Sequence, residues 1–145
     1  MRLTRFPRRH HPRGAGQAII MMVFVVGFFA ILGGTFYELA GLYQFHLFLE
    51  RVATAAARAA STQVTETADG HAVLDGGRAQ ALGNTIISQW ASIDALSGSV
   101  NVTSGGTLVV VDVRASYNPL FVNLITVGHG IPISAEGRYS AVPVG

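Results

Sequence analysis

The stretch Gly14–Tyr37, GAGQAIIMMVFVVGFFAILGGTFY, decides how the chain is built. It carries no formal charge, and Ala18–Leu32 (AIIMMVFVVGFFAIL) is unbroken apolar sequence. About 20 apolar residues in a helix cover the roughly 30 Å hydrocarbon core of a bilayer. A chain crossing lipid alone must satisfy its own backbone hydrogen bonds, so a single span of this kind is a helix. Five arginines precede it, Arg2, Arg5, Arg8, Arg9 and Arg13, and the first charge after it is Glu38. That asymmetry predicts a cytoplasmic N-terminus and an exported C-terminal part.

A cleaved signal peptide competes with this reading. Such peptides have an apolar region of about 7–15 residues ending at a small-x-small site. Here the run continues through Gly33-Gly34-Thr35-Phe36-Tyr37 into Glu38. A cut after Ala40 would put Glu38 where a small side chain is needed. The expectation is a retained, single-pass anchor in the lipid bilayer.

Outside the span, composition narrows the choices. Residues 1–13 hold five arginines and no acid; residues 14–145 hold five arginines and eight acids. The sequence pI near 9.5 is therefore a property of the juxtamembrane tail, which suits anionic headgroups. No second basic surface accompanies it, so nucleic acid is not an expected partner. With no cysteine in the chain, disulfides and thiolate metal sites are excluded.

Residues 1–16 are broken by Pro7, Pro12, Gly14 and Gly16 and read as a tail. From Gln17 a helical pattern starts and passes the membrane boundary. Leu42, Phe45, Leu49, Val52, Ala56 and Ala59 recur at three- and four-residue steps. Ala53–Ala60 is dense in the best helix former. One helix is expected over 17–61, with 17–37 in lipid and 38–61 outside it. Gly27, Ala30, Gly34 and Gly41 offer small surfaces for helix–helix contact in lipid. Ala53, Ala56, Ala57 and Ala60 would let another backbone approach, either the protein's own sheet or a neighbouring subunit.

Residues 62–78 read as a loop with a helix start near Asp75. Ala79, Leu82, Ile86, Trp90 and Ile93 place a second amphipathic helix at 77–96. After Ser97-Gly98 the period changes to two. Val100 and Val102 alternate with polar residues, and Val109, Val111, Val113, Ala115 and Tyr117 share one strand face opposite Asp112 and Arg114. Asn118-Pro119 ends that strand, and Leu120–Val127 is apolar but ambiguous between strand, short helix and covered loop. Ile131, Ile133, Ala135, Gly137 and Tyr139 alternate as a final strand. The expected fold is α+β: two helices on an antiparallel sheet of three or four strands over 99–142, within an exported domain 38–145.

Chemistry-bearing constellations are sparse. His46, His71 and His129 are far apart in sequence, His10-His11 lie among arginines that repel cations, and no Gly-x-Ser-x-Gly elbow is present. Gly76-Gly77 before a helix could hold an anion only weakly. Neither an enzyme, a cofactor nor a metal centre is expected. Glu38, Glu50 and Arg51 read as solvated or headgroup-facing, with a buried ion-pair role for Glu38 as the alternative.

The layout resembles the TadE/TadG-like family, pilin-like proteins of the tight-adherence (Tad, or Flp) pilus machinery. Gly14-Ala15-Gly16-Gln17-Ala18-Ile19-Ile20 is similar to that family's Arg-Gly-Gln-Ala-Leu-Val approach to the membrane. Tyr43, Leu49–Ala53 and Ala55–Ala60 resemble its Ala-rich helix after the span. The Val-rich strand, Asn118-Pro119 and Ile131–Ala135 resemble its closing sheet. The resemblance implies a minor pseudopilin or assembly component in the inner (cell) membrane, with its C-terminal domain periplasmic or extracellular, working with other pilin-like or pilus-assembly proteins as a homo- or hetero-oligomer. It also implies a prepilin-peptidase cut between Gly16 and Gln17. The chain carries Met21 where family members often have Glu, and Arg13 lies two residues upstream of the usual Arg-Gly pair. The alternative function is a membrane-tethered small-ligand or sensor domain.

Overall fold

The computed structural model describes residues 14–66, 72–91, 96–103, 105–120 and 130–141. In chain order these form α1 (Ala15–Ser61), β1 (Val64–Glu66), β2 (Ala72–Leu74), α2 (Gly76–Trp90), β3 (Ser97–Val102), β4 (Leu108–Tyr117) and β5 (Ile131–Ser140). The fold is α+β, with a long apolar N-terminal helix, a second helix and two antiparallel sheets. The chain divides into two compact units, Met1–Tyr37 and Glu38–Gly145.

In the first unit α1 is apolar on every side. Thr35, near the unit's end, donates its hydroxyl to the Ile31 carbonyl one turn back (2.8 Å). That bond satisfies the hydroxyl without water, as an apolar medium demands.

The second unit is built around β4. β3, β4 and β5 pair antiparallel in that order. The alternation read in β4 sorts its side chains: Val109, Val111, Val113 and Ala115 are buried, while Arg114 and Ser116 are exposed. Val100, Val111 and Gly137 lie in one row across the three strands. Both helices pack on this row's face. A methyl group on Gly83 of α2 would meet Val100, and one on Gly137 would meet the Ala53 backbone of α1. The alanines that shrink the apolar face of α1 therefore seat it on β5, where the partner residue is itself reduced to hydrogen. Leu49, Val52 and Ala53 from α1, Ala79 and Ile87 from α2 and the β4 valines form one core.

α1 ends where Thr62 and Gln63 close back on Ala59 and Ala60 by shorter i→i−3 bonds, and the Ser61 and Thr62 hydroxyls take the Arg58 and Ala59 carbonyls. α2 begins at Asp75, whose carboxylate accepts the Arg78 amide (3.1 Å).

Three expectations need correcting. The 62–78 segment contains a short ribbon, β1 with β2. Its two strands of three residues are too short to show a period, and tertiary bonds from Leu74 to Gly106 and from Asp75 to Gln63 fix them. α2 stops at Trp90, not at residue 96: the Ala91 amide turns back to Ser88, and Leu96 is buried at the approach to the sheet. β3 starts at Ser97, two residues before the expected start of the sheet at 99. Gly98 has no side chain because the Asp112 carbonyl and the Ile87 side chain fill that space. Of the Leu120–Val127 segment, only Leu120 is described, and it is exposed; the rest lies outside the described residues, as do His71, His129 and the arginine tail.

Candidate functional site

The first candidate is the surface of the N-terminal unit. From Ile19 through Leu32 every large apolar side chain is exposed, between 36% at Leu32 and 74% at Phe24. Burying one such side chain is worth about 1.5–3 kcal/mol. A handful left in water would therefore match the whole net stability of a domain, about 5–15 kcal/mol. An apolar surface this continuous calls for a non-aqueous or protein covering. By length and composition, the helical stretch Gly16–Ser61 can cross a membrane. Gly27 and Ala30 are exposed on it, and a methyl group on Gly27 would meet nothing within 4 Å, so this flank is open to a neighbour. Gly34 is half-buried, and Gly16 and Gln17 are exposed.

Gly41 belongs elsewhere. It lies in the second unit, where a methyl group would fall 2.5 Å from the Tyr117 hydroxyl oxygen. Its missing side chain makes room for that phenol, which corrects its expected role in lipid. Tyr117 also packs on Phe45 (5.5 Å between ring centroids), Phe45 on Phe48 and Phe48 edge-on against Trp90 (5.7 Å). This row of four rings ties α1 to the ends of β4 and α2, at about 0.5–1.5 kcal/mol per pair beyond burial. Spacing along the chain gave no sign of it, because the four rings come from three elements.

Ala53, Ala56, Ala57 and Ala60 have no exposed surface. They lie in one cluster with α2 and the sheet, and Gly137 of β5 approaches Ala53, so the chain itself fills this face. Glu38 is only 7% exposed and has a partner within the fold, which corrects the expectation of a solvated or headgroup-facing carboxylate. A carboxylate so placed is tolerable only with polar partners.

His46 Nε2 lies 3.4 Å from Glu50 on the adjacent turn of α1, both side chains exposed. On the open face of the sheet, Asp112 of β4 stands opposite Glu136 of β5. Arg138 donates to Glu136 and holds its carboxyl below the usual range, burial opposing weakly; Glu136 in turn raises Arg138. An open depression of about 670 Å³ runs along Glu50, Arg51, Thr54, Ala55, Arg58, Ala59 and Thr62. Its lining holds one carboxylate, two guanidinium groups and two hydroxyls. Among the described residues no three His, Cys, Asp or Glu groups converge as a metal site would need. The helix N-terminus at Gly76-Gly77 is occupied by the Asp75 carboxylate, which removes it as an anion site.

Comparison of the chain with protein-family models finds no match, and comparisons with curated proteins and with solved structures find none either.

Proposed function

We propose that the protein is a membrane-anchored assembly component, of the minor pseudopilin kind, in a Tad/Flp-type pilus or a related secretion system. In this reading the apolar part of α1 stays in the inner membrane after export, with the arginine tail cytoplasmic and the unit Glu38–Gly145 on the outer side. The observation that carries it is the double use of one helix. α1 exposes apolar side chains all round before Tyr37, yet from Leu49 to Ala60 it is the buried spine of an α+β unit. A helix that served only as an export signal would have no need to supply the core of the folded product. The open flank at Gly27 and Ala30 supports lateral contact with another membrane helix, since small residues let backbones approach in lipid. The charge asymmetry supports the orientation.

The test is photo-crosslinking in the native membrane from a benzophenone maleimide coupled to one introduced thiol. The chain has no cysteine, so a single Gly27→Cys or Ala30→Cys variant gives an unambiguous readout. Crosslinked species containing this chain or pilus-assembly membrane proteins are expected. A chain that remains monomeric from both positions contradicts the proposal and favours a solitary tethered domain.

A further inference from the structure

We infer that the outer edge of β3 is a docking site for an extended segment of a different protein, added antiparallel as a fourth strand and carrying a basic and an acidic residue two positions apart.

The backbone comes first. Thr103 donates its amide to Leu108 (2.9 Å), and Ala141 donates to Thr107 (2.8 Å). Backbone groups alternate in direction along an antiparallel strand. With this register, Ser97, Ser99 and Asn101 face β4, and Gly98, Val100 and Val102 turn their amides and carbonyls to the opposite edge, which no described strand covers. At the opposite edge of the sheet, the same alternation puts Pro132 of β5 at an outward position, where it offers no amide. Proline and charge are usual ways of blunting a sheet edge. β5 has Pro132, Glu136 and Arg138, whereas β3, Ser-Gly-Ser-Val-Asn-Val, has neither device. Ser97, Gly98, Ser99 and Asn101 are all exposed.

The side chains define the occupant. Ser97 is paired with Arg114 and Ser99 with Asp112. Because the two serines are short, they leave a groove of about 260 Å³ lined by Ser97, Gly98, Ser99, Asp112 and Arg114. Among the described residues, neither Asp112 nor Arg114 makes an ion-pair contact, and Arg138 of β5 acts on Asp112 only through space. A strand added beside β3 lies two strand spacings from β4, about 9.6 Å. A long side chain opposite Ser99 spans that distance to Asp112 if it is basic, and one opposite Ser97 reaches Arg114 if it is acidic. A second copy pairing through its own β3 brings no charged side chain, so it adds a partner for neither group. Main-chain bonds supply affinity in such additions and the alternate side chains supply selectivity. The inference rests on the sheet alone and is independent of what surrounds α1.

The full chain in detergent micelles is titrated with the blocked peptide Val-Thr-Val-Lys-Val-Glu. Run antiparallel, it sets Lys opposite Ser99 and Glu opposite Ser97. Amide hydrogen exchange is followed at Gly98 and Val100, with peptide up to about 1 mM. Protection of both amides is expected. Binding should weaken at least about fivefold when Lys and Glu are exchanged, a change within reach of two exposed ion pairs. It should vanish when the three valines are N-methylated. In the chain carrying Asp112→Asn with Arg114→Gln, binding should persist while the two charge orders become equivalent. No protection at about 1 mM, equal binding of both charge orders by the native chain, or protection that grows with protein concentration without peptide would each overturn the inference.

Discussion

Gly137 of β5 lies so close to Ala53 of α1 that a methyl group on the glycine would come within 2.5 Å of the Ala53 carbonyl carbon and oxygen. The obstruction is backbone, which no rotamer change relieves. Gly137→Ala should destabilise the C-terminal unit by about 1–3 kcal/mol, the usual cost of overpacking a core. Denaturation of the full chain in micelles checks this, followed by the fluorescence of Trp90, the one tryptophan in the sequence.

Gly41 makes an instructive contrast. Its methyl group would meet the hydroxyl end of Tyr117, a side-chain tip. Gly41→Ala should cost about 1 kcal/mol, and Tyr117→Phe should offset most of that loss by removing the obstructing oxygen. A double-mutant cycle by the same denaturation assay reads the coupling. Equal losses in both backgrounds would show that Gly41 does not seat the phenol.

The start of α2 depends on one side chain. Asp75→Ala removes the acceptor for the Arg78 amide and the carboxylate 3.4 Å from the Arg78 guanidinium. The expected loss is about 1 kcal/mol, with the exchange of the Arg78 amide accelerated before that of the helix interior.

How far these relationships are legible beforehand depends on what each one leaves in a sequence. The valines of β4 announce their face because a period of two is visible within ten residues. α1 announces itself by length. The alanines of Ala53–Ala60 say that a backbone comes near, but small side chains do not name the visitor. Only Gly137, more than seventy residues later, completes the pair. β1 and β2 are held by bonds to Gln63 and Gly106, so their strand character comes from tertiary context. Gly98 is a strand residue by its pairing with Val113, and its lack of a side chain leaves room for Ile87, a neighbour that the sequence does not name. For the surface of the N-terminal unit, the apolar run identified the candidate directly. The open edge of β3 was invisible, because being an edge is a property of strand order.

The Glu136–Arg138 pair on the open sheet face predicts a pH response. Arg138 lowers the Glu136 carboxyl below its ordinary range, chiefly through the hydrogen bond it donates. A carboxylate with a depressed folded pKa contributes stability that is present above its unfolded pKa. That contribution is lost as pH falls through the folded value. Arg138→Gln should therefore raise the Glu136 titration midpoint toward the ordinary carboxylate range, read by NMR of its side-chain carbons. The neutral-pH stability should barely change, because the pair is solvent-exposed.

The central claim is that α1 is a retained membrane anchor with the unit Glu38–Gly145 outside. Site-specific labelling tests it most directly, since the native chain offers no thiol. Single Thr4→Cys and Ser140→Cys variants are treated in intact spheroplasts with a membrane-impermeant maleimide. A retained anchor gives a full-length, membrane-bound chain labelled from outside at position 140, and at position 4 only after permeabilisation. A shortened chain free in the soluble fraction, or one labelled from outside at both positions, would contradict it.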